Sequence, residues 1–225
     1  MLRTSRTDRK MSIKGKKWTI LLIAILLLAI DQAIKFYVKL SFAYGQGFEM
    51  FGTSRWAQIL FIENNGMAFG MQLGGVAGKI LLSTLRLVLI GILIWYINRM
   101  INRGKAPWGV VIGFTMVLVG AVGNMIDSAF YGLIFSESTY NTVATMVPFG
   151  HGYAPFMQGK VVDMFYFPMI HGTWPGWVPW VGGEPFEFFR PIFNFADSCI
   201  TCGVIYMILF QYRYFARKEA DKKQG

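Results

Sequence analysis

The chain has 225 residues and a net charge of +10; 54% of its residues are hydrophobic and only 15% are charged. With a mean hydropathy of +0.43, this composition excludes an ordinary soluble domain and is typical of a small polytopic membrane protein. The basic residues crowd at the termini and in one short loop, which argues for a topology signal and against nucleic acid as a partner.

Four apolar segments are long enough to cross a bilayer, because a helix needs about 20 residues to do so. They run from about 18 to 38, 76 to 96, 107 to 127 and 193 to 210. We therefore predict an all-α polytopic membrane protein: one membrane domain with four transmembrane helices. No small-residue cleavage site follows the first apolar run, so we expect that run to be a retained anchor.

Charge patterning predicts the orientation of these spans. The tails 1–17 and 211–225 are rich in lysine and arginine, and the loop after the second span carries Arg99 and Arg103. The positive-inside rule puts these regions, and so both termini, in the cytoplasm. The connections 41–75 and 133–191 then lie outside. An Asn65-Gly66 turn in the first and the aromatic density of the second predict a small β-rich outer element at the membrane surface.

Polar residues of the predicted spans collect at one level, toward the outer ends. They are Asp31 in the first span, Asn124 and Asp127 in the third, Asn194 and Asp197 in the fourth, with Asp163 in the loop shortly before. A charged side chain at the centre of a span costs about 2.5–3.5 kcal/mol. The aligned set therefore predicts a functional polar pocket at the outer leaflet.

Asp163 and Asp197 are the candidates for acid–base chemistry. Two carboxyl groups a few ångströms apart do not both ionise easily, so one holds a proton while the other acts as a base that activates water. The simpler interpretation makes Asp163 a loop acid and Asp197 a charge that favours a helix N-terminus. Asp31 has Lys35 four residues later, which favours a structural ion pair, and Asp127 favours a structural hydrogen bond at a helix end.

Asn124 and Asn194 are amides that can hold carboxyl groups or a peptide backbone in place. They can equally form hydrogen bonds that only pack helices. Arg86 lies near the middle of the second span, and either snorkelling or pairing across the bundle would accommodate it.

No metal or other cofactor is expected. Cys199 and Cys202 fall in one apolar helix and are interpreted as small buried thiols rather than as a redox motif. The two histidines, His151 and His171, lie in a loop without the spacing of metal ligands.

Five sequence blocks together resemble bacterial lipoprotein signal peptidase, the type II signal peptidase. The blocks are Asp31-Gln32 with Lys35, Asn64-Asn65-Gly66-Met67-Ala68-Phe69, Gly120-Ala121-Val122-Gly123-Asn124-Met125-Ile126-Asp127, Val161-Val162-Asp163-Met164-Phe165, and Phe193-Asn194-Phe195-Ala196-Asp197-Ser198. Each block alone is weak, but all five in this order are specific to the family.

The resemblance implies an aspartic endopeptidase of the bacterial cytoplasmic (inner) membrane with Asp163 and Asp197 as its catalytic dyad. Other recurrent pocket positions of the family correspond to Asp31, Asn64, Gly66, Asn124, Asp127, Asn194 and Ala196. The implied substrate is a prolipoprotein with a diacylglyceryl group on the lipobox cysteine, cut just before that cysteine to remove the signal peptide. The implied partners are membrane lipid and inhibitors of the globomycin type, which occupy the dyad; we expect a monomer.

The chain departs from the family in two places. Ser128 stands where the family usually has arginine, and Ser128–Val162 forms an insertion where a short turn is usual. Two other functions are alternatives. A proton-coupled transporter would use intramembrane carboxylates but would need polar residues along a path across the bilayer. A Ser–Lys peptidase based on Ser198 or Ser128 would need a suitably placed lysine.

Overall fold

Apolar helices form the frame of the molecule, which we describe from a computed structural model covering residues 12–52, 56–65, 75–104 and 106–216. The helices are α1 (Ile13–Ser41), α2 (Gly75–Arg103), α3 (Trp108–Ile126), α4 (Gly132–Ile134) and α5 (Phe195–Phe210). A π-helical turn, Asp127–Tyr131, joins α3 to α4. At the start of α1 the Ser12 hydroxyl accepts a hydrogen bond from the backbone of Gly15 at 3.1 Å, which satisfies one of the free N–H groups of the first turn.

Three of the predicted spans lie in helices that are long and apolar enough to cross a membrane: Ile13–Ser41, Gly78–Arg103 and Trp108–Ile134. The fourth lies in α5, an apolar helix of 16 residues, which rises about 24 Å against a hydrocarbon core of about 30 Å. The count of four spans therefore stays a prediction. The second predicted span lies within a longer helix: α2 continues to Arg103, so Arg99 and Arg103 lie in its last turns. Cations are stabilising at a helix C-terminus.

Glycines allow α5 to pack closely on α3. A methyl group at Gly120 would lie 2.3 Å from the carbonyl oxygen of Ala196, and one at Gly113 would lie 2.4 Å from Cγ of Met207. Small residues on one helix face permit this approach in membrane proteins. The close contact brings the first turn of α5 next to the last turns of α3, where the polar residues are.

Two small antiparallel sheets lie outside the helices. The first contains β1 (Gly47–Glu49), β2 (Gln58–Asn64) and β3 (Val161–Tyr166), and its register sets Ile62 opposite Asp163. The second is the hairpin of β4 (Ile170–Thr173) and β5 (Pro185–Phe188). The predicted small β element is thus present. A buried apolar cluster packs the three-stranded sheet against α1 and the π-helical turn; its members are Val38, Ile59, Phe61, Tyr131, Phe135, Val162 and Met164.

The insertion Ser128–Val162 ends close to where it begins. The N–H of Gly159 donates to the carbonyl oxygen of Ser128 at 2.8 Å, so β3 follows the π-helical turn in space although about 30 residues intervene in the chain. A buried ion pair joins Lys39 of α1 to Glu63 of β2, and Lys39 also donates to Ser138 of the insertion at 3.0 Å. Lys39 therefore ties the insertion to α1, and the two ends of the insertion lie close together.

Candidate active site

A buried lysine organises the helical half of the site. The ammonium of Lys35 lies 3.0 Å from Asp31 and 2.8 Å from Asp127, and none of the three side chains is exposed. Asp31 and Lys35 are one helical turn apart on α1, as their spacing predicts. The contact with Asp127 joins α1 to the π-helical turn after α3. Three charges thus share one desolvated cluster with one excess negative charge.

Asp31 and Asp127 also hold the neighbouring elements. Oδ1 of Asp31 accepts the backbone N–H of Ala196 at 2.9 Å, which fixes the first turn of α5. Oδ2 of Asp127 accepts the N–H of Val162 at 3.3 Å, which fixes β3. Gln32 donates to Asp31 at 3.0 Å and to Asp127 at 3.1 Å. The two carboxylates therefore position the segments that carry Asp197 and Asp163.

Asn194 links the two candidate catalytic acids. It is the N-cap of α5 and forms a reciprocal capping box with Asp197: its Oδ1 accepts the N–H of Asp197 at 2.9 Å, and Oδ2 of Asp197 accepts the N–H of Asn194 at 3.3 Å. Its Nδ2 donates to Oδ1 of Asp163 at 2.7 Å. One fully buried amide thus sets the relative position of both carboxyl groups. A carboxylate in the first turn of a helix is also favoured by the helix dipole.

Asn124 connects this pair to the lysine cluster. Its Oδ1 accepts from Lys35 at 2.9 Å and from Nδ2 of Asn194 at 3.1 Å, while its own Nδ2 donates to Oδ1 of Asp197 at 2.8 Å. A lysine ammonium can only donate hydrogen bonds, so it fixes the amide with its nitrogen toward Asp197. The network leaves no choice in the orientation of this side chain.

Asp163 is the more buried of the two acids, with 4% of its surface exposed. Nδ2 of Asn64, on the adjacent strand β2, donates to its Oδ2 at 3.2 Å. Burial raises the pKa of Asp163 to about 7, and the nearby carboxylate of Asp197 adds to the rise; the amides of Asn194 and Asn64 and the charge of Lys35 oppose it. Asp163 therefore holds a proton at pH values where an ordinary carboxyl group has lost it.

Eight of the nine predicted site residues belong to this one network. They are Asp31, Asn64, Asn124, Asp127, Asp163, Asn194, Ala196 and Asp197. The ninth, Gly66, lies outside the described residues. The simpler interpretation of Asp31 as an ion-pair partner of Lys35 is confirmed, but that pair is also part of the network around the acids.

Sequence reasoning missed residues whose partners are distant in the chain. Lys35 was expected only as a local partner of Asp31, and Gln32 was not expected in the site although its Oε1 also accepts from Tyr131 at 3.1 Å. The question left open for Arg86 is answered by a contact across the bundle: its Nη1 lies 3.5 Å from Oγ of Ser128. The available sequence signal was that Lys35 lies on the same helix face as Asp31.

The cysteines do not behave alike. Cys199 is buried, as predicted, but Cys202 is exposed on the protein surface, so the expectation of two buried thiols is wrong for Cys202. Within the described ranges, no three His, Cys, Asp or Glu side chains are grouped in a way that could hold a metal ion.

The fold and this network define a helical membrane protein with one buried and one half-buried acid held by a shared amide. A solved structure described as a bacterial membrane enzyme matches with a TM-score of 0.58 at 22% identity, covering 89% of this chain and 91% of that one. The likeness supports the fold.

Sequence comparison gives the family. The family model for signal peptidase (SPase) II matches residues 23–213. A lipoprotein signal peptidase of Porphyromonas gingivalis is 43% identical over 187 residues, which cover 83% of this chain and 80% of that protein. One of Amoebophilus asiaticus is 33% identical, covering 86% and 78%. The chain belongs to the signal peptidase II family.

Proposed function

We propose that this protein is an aspartic endopeptidase that removes the signal peptide from diacylglyceryl-modified prolipoproteins, cutting before the lipidated cysteine. The observation that carries the proposal is the pair Asp163 and Asp197, held by a single buried amide, Asn194. Family membership supports the peptidase activity and a prolipoprotein substrate. The pair supplies the aspartic chemistry.

The environments of the two acids divide their roles. Asp163 is buried and its pKa is raised to about 7, so it supplies the proton. Asp197 lies in the first turn of α5, is less buried than Asp163, and accepts hydrogen bonds from two N–H groups, one of Asn124 and one of Asn194. Asp197 is therefore the base that takes a proton from the attacking water.

The reaction then proceeds without a covalent enzyme intermediate. The water oxygen attacks the scissile carbonyl carbon, Asp197 takes one water proton, and Asp163 protonates the carbonyl oxygen. The tetrahedral intermediate collapses when the proton on Asp197 passes to the leaving nitrogen, the C–N bond breaks, and a hydroxyl proton returns to Asp163. Both acids end as they began. The amides of Asn64, Asn124 and Asn194 keep the carboxyl groups in place throughout.

The second part of the proposal concerns how the protein lies in the membrane. We infer four spans with both termini in the cytoplasm, the β elements outside, and the acids at the outer leaflet of the bacterial inner membrane. The three long apolar helices and the positive charge of the tails support this orientation. A lipid-modified cysteine would then have its acyl chains in the bilayer and its scissile bond at the level of the acids. An inhibitor of the globomycin type would occupy the same place.

A proton-coupled transporter is less well supported. It would need ionisable groups along a path across the bilayer. The buried charged residues of the described chain cluster instead between the outer end of α1 and the first turn of α5; they are Asp31, Lys35, Lys39, Asp127 and Asp163. Membership of a peptidase family also does not favour transport.

The test is cleavage of a purified lipid-modified prolipoprotein by the purified protein in excess EDTA. Asp163→Asn and Asp197→Asn should each abolish cleavage, and the double variant should be little worse than either, because the two acids act as a unit. Glu49→Gln, an exposed acid of β1, is the matched control and should cleave like the wild type. The same prolipoprotein without diacylglyceryl should be cut far more slowly.

Three outcomes would contradict the proposal. Near wild-type cleavage by either aspartate variant would show that Asp163 and Asp197 are not a catalytic dyad. Activity lost in EDTA and restored by zinc would mean that the carboxylates bind metal. Equal rates with and without the lipid would instead indicate a general signal peptidase.

A further inference from the structure

Arg86 is a cation in the middle of an apolar helix. Between Lys79 and Arg99 no other residue of α2 is charged. A guanidinium at membrane depth is costly, so such residues face the bundle interior and mark functional positions.

The faces of α2 show which way Arg86 points. Its neighbours Leu85 and Leu87 are 56% and 49% exposed. Ser83 lies three residues before Arg86 on the same helix face and is 3% exposed. Arg86 is half-buried, and its Nη1 contacts Oγ of Ser128 at 3.5 Å. It therefore faces the bundle interior at the level of the π-helical turn, and it does not snorkel away from the site.

Three carboxyl groups lie within electrostatic range of the guanidinium. In order of strength they are those of Asp197, Asp127 and Asp163. The strongest of these interactions is with Asp197, whereas Asp127 is also paired with Lys35 at 2.8 Å. Ser128, which separates the guanidinium from α3, itself donates to the carbonyl oxygen of Asn124 at 3.1 Å.

The charge balance of the site requires a second cation. Its ionisable members are Asp31 and Lys35 from α1, Arg86 from α2, Asp127 from the π-helical turn, Asp163 from β3 and Asp197 from α5. With one proton on the acid pair the four carboxyl groups carry three negative charges, and Lys35 cancels one. Without Arg86 two uncompensated negative charges would remain in a poorly solvated site, a costly arrangement.

We propose that Arg86 is a positioning residue of the candidate active site, whose charge stabilises the singly ionised form of the Asp163–Asp197 pair. This inference rests on the proposed function. Arg86 acts through the acids and does not touch the reacting atoms. Its removal makes the first ionisation of the pair harder, so the pH profile of cleavage moves to higher pH.

The experiment is the pH profile of prolipoprotein cleavage for wild type, Arg86→Gln, Arg86→Lys and Arg103→Gln. Arg103 is an exposed arginine of the same helix and serves as the matched control. We expect Arg86→Gln to move the acidic limb upward by about one pH unit, with about tenfold lower kcat on that limb and an unchanged KM. Arg86→Lys keeps the charge and should keep the wild-type profile, as should Arg103→Gln.

A double variant tests whether the effect depends on the position of the positive charge or on the packing of the Arg86 side chain. Because Arg86 and Ser128 are in contact, Arg86→Ala combined with Ser128→Arg returns a guanidinium to the same place from the π-helical turn. This double variant should restore the profile that Arg86→Ala alone loses. Should Arg86→Gln fail to fold, Arg86→Met fills similar volume without a polar group and takes its place.

Each remaining outcome decides the matter. An inactive wild type would refute the proposed function rather than the role of Arg86. An active wild type with an unshifted Arg86→Gln profile would overturn the inference, as would equal losses at every pH in the Gln and Lys variants. If neither neutral variant folds, Arg86 is a structural residue and the proposal is withdrawn.

Discussion

Replacing Lys35 by methionine should destabilise the protein more than any exposed substitution in the same helix. The ammonium lies 3.0 Å from Asp31 and 2.8 Å from Asp127 with no exposure of any partner. At an effective dielectric constant of 20 each attraction is about 5–6 kcal/mol, but the cost of desolvating the charges offsets much of it. Removing one partner of a buried pair costs about 3–5 kcal/mol, because the other charges stay buried and unpaired.

For a chain of 225 residues that loss corresponds to a fall in Tm of about 6–20 °C. Thermal unfolding of the purified protein in detergent measures it. Lys17→Met, an exposed lysine of α1, is the control and should shift Tm little. Adding Asp31→Asn and Asp127→Asn to Lys35→Met should recover part of the loss. If Lys35→Met has the same Tm as Lys17→Met, the ion cluster does not stabilise the fold and the reasoning is refuted.

Three further predictions concern the acids and the orientation. Asn194→Ala removes the cap of α5 and the amide that links the acids, so it should cost about 1 kcal/mol of stability and nearly all cleavage; a variant that cleaves normally would contradict the bridging role. The cleavage rate should fall as pH rises through about 7, because Asp163 loses there the proton that it supplies. A rate still rising above pH 8 would reverse the assignment of Asp163 as the acid and Asp197 as the base. In a background without the two native cysteines, an impermeant thiol reagent should label Tyr140→Cys but not Arg213→Cys in intact cells; the opposite labelling would invert the orientation.

Sequence reasoning worked where a single residue was costly in its own surroundings. Asp31, Asn124 and Asp127 were conspicuous because polar groups in apolar helices need a reason. The Asp31–Lys35 pair was visible because its partners are one turn apart. These signals are local and require no knowledge of how the helices cross.

Contacts that depend on helix crossing were not visible. Nothing near Lys35 in the chain indicates Asp127, and Arg86 was open to two interpretations until α2 was packed against Ser128. The insertion illustrates the same limit, since its length gave no hint that Gly159 returns to Ser128. Helix ends also shifted, because the basic residues that mark a cytoplasmic loop also stabilise the C-terminus of a continuing helix.

The order of the site residues along the chain has a consequence for biosynthesis. The cluster of Asp31, Lys35 and Asp127 belongs to segments that leave the ribosome before α5. Asp163 follows, but its strongest hydrogen-bond donor, Asn194, and its partner Asp197 arrive only with α5. A nascent chain therefore assembles a stable ion cluster first and acquires paired acids last. If the proposed function holds, hydrolytic capacity appears only after α5 docks on α3, and a partly inserted molecule would not cut other membrane segments that are being inserted beside it.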